Sequence, residues 1–393
     1  ADGASANPAL SADGRYTVFE STATNLNGLT LGNRQIYRHD AVLDETIMVS
    51  RQWGCPPLPP CILLPGNGNS FNPDISADGR YVVFETDATT LGTDTTGVRD
   101  IYRVDVDAEI VARISTGPFG VEADGASIQP TVADDGQKVA FTSFATNLGG
   151  SGGTFSEVYQ WESGQVAPTR VSLVGPGGVN EGNSDQPFIS GDGSAVLFAS
   201  EAPYTSMGVT LQWPSIFLRS SGSTTTIATN EQNLTVPLFY RPSSIDHDGD
   251  RLALASSVLN FLGAAYVYDD AGNQLDLWVN RTDLQLDAAG DRVLYRGSSI
   301  VYQDEVGSVD PGVVISTDIL NNALGSGDQL AISADGRTAA FRSSDTNLVA
   351  ADNNGVADIF LKSIPFVTVD SVTPGALPVG QATTVTITGS GFG

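Results

Sequence analysis

The chain has 393 residues, of which 40% are hydrophobic, so it can bury a core, but it is too long for one ordinary compact core unless that core is built by repetition. Charged residues make up only 16% of the chain, yet the formal net charge is -26. Phosphate backbones and anionic membrane surfaces would repel such a chain, which argues against nucleic acid or an anionic membrane as partner. No apolar run approaches the ~20 residues that a bilayer-spanning helix needs.

One sequence phrase recurs seven times along the chain. Residues 7–20 read NPALSADGRYTVFE, and residues 72–85 read NPDISADGRYVVFE. Another strong copy covers residues 332–337, and the weaker copies centre on Asp135-Gly136, Asp192-Gly193, Asp248-Gly249 and Gly290-Asp291. Successive copies lie roughly 40 to 65 residues apart, which is the period of a propeller whose repeats each form one four-stranded blade.

Each repeat divides into four strands, A to D, in which β-branched and aromatic residues alternate between Gly, Asp and Asn. In the second copy, a tight turn at Asp78-Gly79 separates strand A from strand B. The sequence therefore predicts an all-β, seven-bladed β-propeller of four-stranded antiparallel blades. The expected blades cover approximately residues 1–50, 67–116, 122–174, 181–230, 235–280, 281–317 and 323–364.

Strand C of most copies carries an aliphatic–aromatic pair. The pairs are Ile36-Tyr37, Ile101-Tyr102, Val158-Tyr159, Ile216-Phe217, Val301-Tyr302 and Ile359-Phe360, and the fifth copy has Tyr266-Val267-Tyr268 instead. Because an aromatic side chain buries a large area between packed sheets, we expect these rings to form the core between blades.

The phrase Ser-Ala-Asp-Gly-Arg, followed by an apolar strand that ends in Phe, resembles the TolB-like, WD-type propeller repeats of bacterial exported proteins. The resemblance covers residues 1 to about 364 and is strong in the first, second, third and seventh copies. It implies the propeller fold and a bacterial location in the periplasm, at the cell surface or outside the cell. One fold hosts many unrelated sites, so the resemblance implies no particular activity.

The sequence changes character after Pro365. Residues 367–375 read VTVDSVTPG, and residues 385–393 read VTITGSGFG. This segment, 365–393, resembles the opening strands of an immunoglobulin-like TIG (IPT) domain. Two strands cannot close a sandwich of about seven, so we expect either a tail docked on the propeller or a protein with further C-terminal domains. Alternatively, Val367 to Val369 could supply the outer strand of the seventh blade.

The two cysteines, Cys55 and Cys61, enclose the proline-rich loop CPPLPPC. No histidine or second cysteine pair lies nearby, which disfavours a metal site. We interpret the pair as a local disulfide, with two free thiols as the alternative. A disulfide favours an oxidising, exported location.

Two expected B–C loops share a spaced pattern of oxygen-bearing side chains around a glycine. The candidate ligands are Asp94, Thr96 and Asp100 in the second copy and Asp352, Asn354 and Asp358 in the seventh copy. Oxygen atoms at the first, third and seventh positions resemble short calcium loops, so we consider Ca2+ as the one cofactor that the sequence suggests. The alternative is that these side chains cap the turn by accepting hydrogen bonds from backbone amides.

In a propeller, the D–A connections and B–C loops emerge on one face, and the A–B and C–D turns emerge on the other. We call the first of these the loop face. Length and sequence variation concentrate there, and binding residues usually lie in variable loops on a rigid scaffold. The aromatic candidates for contact with a partner are Trp53, Phe119, Tyr204 and Trp213. Each could instead belong to the core of its own loop.

Signals for enzyme chemistry are weak, since His39 is expected to follow strand C and to be exposed, and His247 is expected in a turn. No phosphate loop, zinc-type histidine pair or dinucleotide fingerprint occurs. We therefore expect a non-enzymatic binding or scaffold propeller that binds a protein or glycan partner through its loop face. One alternative is an enzyme that acts on polysaccharide or peptide with Asp or Glu near the central channel. Another is a structural element of a surface layer or filament in which calcium bridges neighbours.

Overall fold

The structure is a computed structural model. It describes residues 1–26, 32–53, 64–149, 155–173, 182–201, 204–206, 209–211, 215–228, 238–258, 261–279, 281–297, 300–308, 313–317, 327–350, 352–364, 368–373 and 386–390. Apart from one short 3-10 turn, Pro118–Gly120, the described elements are all β-strands. Within these ranges, no helix is long and apolar enough to cross a membrane.

Seven antiparallel sheets form the blades of a propeller, as the sequence predicts, and within each sheet the strands lie side by side in chain order. Blades 1 to 3 comprise β1 (Ser5–Leu10), β2 (Tyr16–Ser21), β3 (Gln35–Asp40), β4 (Glu45–Met48), β5 (Ser70–Ile75), β6 (Tyr81–Thr86), β7 (Asp100–Asp105), β8 (Ile110–Arg113), β9 (Ser127–Val132), β10 (Lys138–Ser143), β11 (Glu157–Glu162) and β12 (Thr169–Arg170). Blade 4 comprises β13 (Ser184–Ile189), β14 (Ala195–Ser200), β17 (Ser215–Ser220) and β18 (Ser223–Ala228), with an inserted hairpin of β15 (Tyr204–Ser206) and β16 (Val209–Leu211).

Blades 5 and 6 also have four strands each. They comprise β19 (Leu238–Ile245), β20 (Arg251–Val258), β21 (Phe261–Asp269), β22 (Gln274–Val279), β23 (Arg281–Leu286), β24 (Arg292–Gly297), β25 (Ile300–Glu305) and β26 (Val313–Val314). Blade 7 has three described strands, β27 (Asp328–Ile332), β28 (Thr338–Ser343) and β29 (Asp358–Ser363).

The C-terminal segment forms a separate hairpin in which β30 (Thr368–Thr373) pairs with β31 (Thr386–Ser390). Thr368 and Val369 therefore belong to this hairpin, and the expectation that they form the outer strand of blade 7 is wrong. Val367, the first residue of that proposed strand, lies outside the described residues. The assignment of the segment to a TIG domain stays a prediction.

The core lies between neighbouring blades and is built on the aromatic residues that the sequence singled out. In six blades the strand C ring stacks on a strand B ring with centroids 5.5 to 6.4 Å apart. Tyr102 of blade 2, for example, is buried together with Val18, Ile36 and Val49 of blade 1. Rings of this size bury enough apolar area to hold two sheets face to face.

Backbone hydrogen bonds join the A–B turns of successive blades. The N–H of Ala12 bonds to the carbonyl of Ala77 at 2.9 Å, and the N–H of Ala77 bonds to the carbonyl of Asp134 at 3.0 Å. The equivalent bonds further round run from Asp134 to Gly191, from Gly191 to Asp246, from His247 to Ala288 and from Ala288 to Ala334. We call this series the turn ring. Because each amide is satisfied by the next blade, each blade fixes the position of its neighbour.

A second set of backbone bonds, at the loop face, closes the propeller between blades 7 and 1. In blades 2 and 3, the first residue of strand A donates its N–H to the carbonyl of the residue before strand C in the preceding blade. These bonds join Ser70 to Arg34 at 2.9 Å and Ser127 to Arg99 at 2.8 Å. Ser5 of blade 1 donates in the same way to Ala357 of blade 7 at 2.8 Å. The described strands of blades 1 and 7 therefore meet without sharing a strand.

The Asp-Gly turn offers a direct test of these contacts between blades. Gly79 has a φ of 75° and lies against the ring of Tyr16, so a Cβ there would overlap that ring. Gly97 has a φ of 65° but open space around it. Both Gly→Ala variants strain the backbone, and Gly79→Ala also disturbs the packing. We expect it to lower the free energy of unfolding by about 1–3 kcal/mol more than Gly97→Ala does, as measured by chemical denaturation. Equal losses would show that this contact contributes nothing.

Candidate functional site

The first strands of the seven blades enclose a central channel of about 860 Å³. Strand A runs from the D–A connection to the A–B turn, so the channel opens on the loop face at one end and meets the turn ring at the other. The residues of the turn ring that line it are Ala12, Ala77, Asp134, Gly191, Asp246, His247, Ala288 and Ala334.

A bulge in strand A places a polar side chain in the channel wall of six blades. These residues are Asn7, Asn72, Gln129, Gln186, Asp283 and Gln329, with φ between 46° and 56°. We call them the bulge ring. The bulge turns a backbone N–H out of the sheet ladder, and a side-chain oxygen of the preceding blade accepts it. Glu20 accepts from Asn72 at 3.0 Å, and Gln329 accepts from Asn7 at 3.0 Å.

The same pattern continues in blades 3 and 4, where Glu85 accepts from Gln129 at 2.6 Å and Gln129 accepts from Gln186 at 3.1 Å. The channel wall is therefore a hydrogen-bonded polar surface with fixed geometry. The sequence signal for it was present, because an Asn or Gln directly precedes a proline in strand A of the first four blades. Sequence reasoning did not use that signal.

Charges in the channel wall are mostly paired. Asp283 contacts Arg296 at 2.7 Å, and Asp328 contacts Arg342 at 2.8 Å. Arg241 lines the channel and is exposed; burial raises the pKa of nearby Asp185, and the charge of Arg241 lowers it. The channel thus presents amide groups and the guanidinium of Arg241 toward the loop face.

A histidine–aspartate pair lies at the turn end of the channel. The Nδ1 atom of His247 is 2.7 Å from Oδ2 of Asp134, although the whole of blade 4 separates them in the chain. A Cβ on Gly191 would overlap both side chains, so the glycine of blade 4 allows the pair to form. Burial lowers the pKa of His247, but the bond to Asp134 and the charges of Asp248 and Asp192 outweigh burial and raise it. His247 lies in a turn, as expected, and its partner was invisible in the sequence.

Three carboxyl groups in the channel wall have pKa values that burial raises, and Asp287 is one of them. Burial raises the pKa of Asp74 to about 6, and burial also raises the pKa of Asp246. Both side chains accept backbone hydrogen bonds, Asp74 from Val132 at 2.8 Å and Asp246 from Gly249 at 2.9 Å. These bonds give both carboxyl groups a structural role in the channel wall.

The acidic loop of blade 2 holds an arginine at its centre. Arg113 of strand D lies 3.1 Å from Asp100, 2.7 Å from Glu122 and 3.9 Å from Asp94. Asp94 also accepts the N–H of Thr96 at 3.0 Å, in the manner of a turn cap. The guanidinium supplies the positive charge that the sequence pattern assigned to calcium. Among the residues that the structure describes, no group of three or more His, Cys, Asp or Glu could hold a metal ion, and calcium binding stays a prediction.

The matching loop of blade 7 has the acids without a matching arginine. The side-chain amide of Asn354 donates to Asp358 at 2.7 Å, and the backbone N–H of Asn354 donates to Asp352 at 3.4 Å. The second carboxylate oxygen of Asp352 is buried and has no hydrogen-bond partner in the described part of the chain. This loop therefore carries uncompensated negative charge where blade 2 carries an ion-pair network.

Phe119 is more exposed than Trp53, the other aromatic candidate whose side chain the structure describes, with 95% of its surface open to solvent. It lies in the D–A connection between blades 2 and 3, in a turn that the bond from Gly117 N–H to the Val121 carbonyl closes at 2.7 Å. Its φ of 65° is uncommon for a bulky residue and marks a constrained loop. Val121, Phe144 and Phe155 are also exposed in the loops of these two blades.

Two other candidates are engaged in local contacts. The indole of Trp53 is half-buried, donates to the Val49 carbonyl at 2.8 Å and has the guanidinium of Arg51 stacked 4.1 Å from its ring. This geometry fits the alternative that Trp53 belongs to the core of its loop. His39 lies within β3, whereas the sequence placed it after strand C, and its ring is 3.0 Å from the hydroxyl of Thr46.

The remaining candidates are only partly within the described residues. Tyr204 begins the short strand β15. Trp213, Cys55 and Cys61 lie outside the described residues, so the disulfide and the contact role of Trp213 stay predictions.

No family model and no curated protein matches the chain. Among solved structures, the β-propeller domain of the Trilobed protease from Pyrococcus furiosus is similar, with a TM-score of 0.55 and 11% identity over 92% of this chain and 95% of that one. This chain shares the fold of that propeller domain. That propeller domain has an open velcro topology.

Two further solved structures are similar to the chain. The acylaminoacyl peptidase of Pyrococcus horikoshii has a TM-score of 0.52 and 10% identity over 91% of this chain, and TolB from Acinetobacter baumannii has a TM-score of 0.42 and 16% identity over 69%. The chain spans about half the length of both, 51% and 53% respectively. The similarity to the peptidase, at a TM-score of 0.52 and 10% identity, shows a shared fold and leaves activity open.

The His247–Asp134 pair predicts a pH dependence. A raised pKa in the folded state adds stability that is fully present below the unfolded-state value of about 6.5 and is lost as pH rises through the folded value. We expect Asp134→Asn to lower the pKa of His247 in an NMR titration and to reduce stability at pH 5.5 more than at pH 8.5. The control is Asp44→Asn, in an exposed C–D turn. An unchanged His247 titration in Asp134→Asn would contradict the pair.

Proposed function

We propose that this chain is a non-enzymatic binding or scaffold propeller of an exported bacterial protein, and that its loop face binds a protein or glycan partner. The observation that carries the proposal is Phe119, a large aromatic side chain that is almost fully exposed on a hydrogen-bonded turn. The exported location is inferred from the resemblance of the repeats and from the Cys55–Cys61 loop.

An exposed ring on a constrained turn is well suited to binding. Aromatic side chains contribute much of the affinity of protein interfaces, because they bury a large area while ordering few rotatable bonds. The turn around Phe119 is already fixed by its own backbone bond, so little conformational entropy is lost when a partner docks. Exposed apolar neighbours in the same loops, Phe144 and Phe155, enlarge the surface that a partner can cover.

The central channel also favours partner binding at the loop face. The bulge ring offers amide groups that both donate and accept hydrogen bonds, and Arg241 adds an accessible cation. These groups suit the hydroxyl groups of a glycan or the backbone and side chains of a peptide loop. Partner recognition then combines an apolar contact at Phe119 with polar contacts at the mouth of the channel.

An enzyme that acts on polysaccharide or peptide is the second candidate. The observation that favours it is the His247–Asp134 pair in the channel, together with the raised pKa of Asp74. The pair lies at the turn end, away from the loop face, and Asp74 is held by backbone bonds. Release of product from polysaccharide or peptide panels that is lost in His247→Gln would establish this candidate in place of binding.

A calcium-bridged structural element remains the third candidate. It requires metal at the two acidic loops, and Arg113 already occupies the centre of the loop in blade 2. Calcium-dependent assembly of the purified chain, followed by sedimentation, tests it.

The binding proposal is tested with Phe119→Ala. Because the ring is almost wholly exposed, its loss should leave thermal unfolding unchanged while weakening partner binding roughly tenfold or more. Binding of the labelled chain is measured on panels of immobilised bacterial envelope glycans and envelope proteins. The matched control is Leu43→Ala, an exposed apolar residue on the opposite face, in the C–D turn of blade 1.

Binding that is lost in Phe119→Ala and kept in Leu43→Ala supports the proposal. Full retention of binding in Phe119→Ala, or no binding to either panel by the parent chain, contradicts it.

A further inference from the structure

Blade 7 has three described strands where each of its six siblings has four. Among the described residues, no strand pairs with the outer edge of β29. A cavity of about 760 Å³ lies beside this edge, between blades 7 and 1. It is lined by Ile359 and Leu361 of blade 7 and by Phe19, His39 and Thr46 of blade 1.

In four other blades, an aliphatic–serine pair at the end of the outer strand bonds to strand C. The pairs are Val49-Ser50, Ile114-Ser115, Val171-Ser172 and Ile315-Ser316. The aliphatic residue donates its N–H to the carbonyl of one strand C residue, and the serine hydroxyl accepts the N–H of that same residue. In blade 1 these bonds join Val49 and Ser50 to Ile36 at 2.7 and 2.8 Å. Blades 2, 3 and 6 repeat both bonds.

Ile359 is the counterpart of Ile36 in blade 7. It pairs with Arg342 of strand B as Ile36 pairs with Glu20, so its N–H and carbonyl face the outer edge. No described residue bonds to either group. An open edge of this kind is a template for another strand.

Among the described residues, blade 7 also lacks the apolar contact that other blades make at the end of strand D. The core cluster between blades 1 and 2 includes Val49, directly after β4, and the cluster between blades 2 and 3 includes Ile114, directly after β8. The cluster between blades 7 and 1 consists of Phe19, Tyr37 and Met48, with Ile359 at its margin and no residue from an outer strand of blade 7 among the described residues.

The charges around β29 indicate which residue precedes the aliphatic–serine pair. In blade 2, Arg113 of strand D bonds to Asp100, the first residue of strand C, and lies near Asp94. In blade 3, Arg170 bonds to Glu157 at the same position. Blade 7 has Asp358 at that position.

The seventh blade also has Asp352 at the position of Asp94, and its buried Oδ2 atom has no hydrogen-bond partner among the described residues. The amide of Asn354 donates to Asp358, so both acids carry negative charge that no described arginine neutralises. A cation on an incoming strand would satisfy both.

We propose that the outer edge of blade 7 binds an extended segment of a partner protein by strand addition, and that the segment carries the sequence Arg-Val-Ser or Arg-Ile-Ser. The segment runs antiparallel to β29, its aliphatic residue fills the cavity against Phe19, and its arginine pairs with Asp358 and Asp352. Main-chain bonds to Ile359 give affinity, and the side-chain pockets give specificity. This surface is separate from the Phe119 patch and does not depend on the proposed function.

The chain supplies its own probe, a capped peptide that copies residues 167–173, Ala-Pro-Thr-Arg-Val-Ser-Leu, from blade 3. Isothermal calorimetry should show one site per chain, and hydrogen exchange should slow at Ile359. Methylation of the valine nitrogen removes the bond to the Ile359 carbonyl, and Arg→Ala in the peptide removes the ion pairs. We expect each change to weaken binding roughly tenfold.

Substitutions in the chain identify the site. Asp358→Asn and Asp352→Asn should weaken binding of the parent peptide but not of the Arg→Ala peptide, which isolates the ion pairs in a double-mutant cycle. The matched control is Asp107→Asn, which makes the same change of charge at an exposed turn.

Four outcomes overturn the proposal. The first three are no binding of the parent peptide, binding that is insensitive to N-methylation, and protection from exchange at residues other than those of β29. A fourth is stabilisation of the chain by calcium that is lost in Asp352→Asn while the peptide does not bind, since the loop would then be a metal site.

Discussion

Backbone amides along the central channel are satisfied by neighbouring blades, and the rest of the structure depends on this arrangement. The turn ring uses N–H groups such as that of Ala77, and the bulge ring uses those of Asn7 and Asn72. An isolated blade would leave these groups buried and unpaired, or exposed to water with their acceptors lost. Blades 7 and 1 are joined by the bulge-ring bond from Asn7 to Gln329 and by the loop-face bond from Ser5 to Ala357. The aromatic layers between blades add area, but the hydrogen bonds fix the register between one blade and the next.

The same constraint explains where functional groups lie. Side chains that accept backbone hydrogen bonds along the channel have a structural role, as the bonds of Glu20, Asp74 and Asp246 show. Groups that the rings do not use are available for recognition, and they face the loop side: the exposed ring of Phe119 and the guanidinium of Arg241. The exception is the His247–Asp134 pair at the turn end, which replaces two of the alanines of the repeat and needs Gly191 between them.

The fold could be predicted from the sequence because each blade repeats a local strand pattern. Each blade also repeats a strand C aromatic residue, which is best buried between neighbouring blades. Contacts between distant positions could not be predicted in this way. Asp134 and His247 are 113 residues apart, and nothing local to either indicates the other. Arg113 lies 13 residues after Asp100, as Arg170 does after Glu157, and that spacing favours an ion pair within a blade over calcium. The exposure of Phe119 depends on what packs around its loop, which strand patterns do not encode.

Hydrogen exchange, read residue by residue, tests the role of the rings most directly. If neighbouring blades lock one another through the turn ring, the amides of Ala77 and Ala288 exchange only with global unfolding, as slowly as Val83 in the centre of a blade. Exchange of Ala77 and Ala288 as fast as that of Asp107, in an exposed C–D turn, would contradict the account and would show that the blades are held by their apolar faces alone.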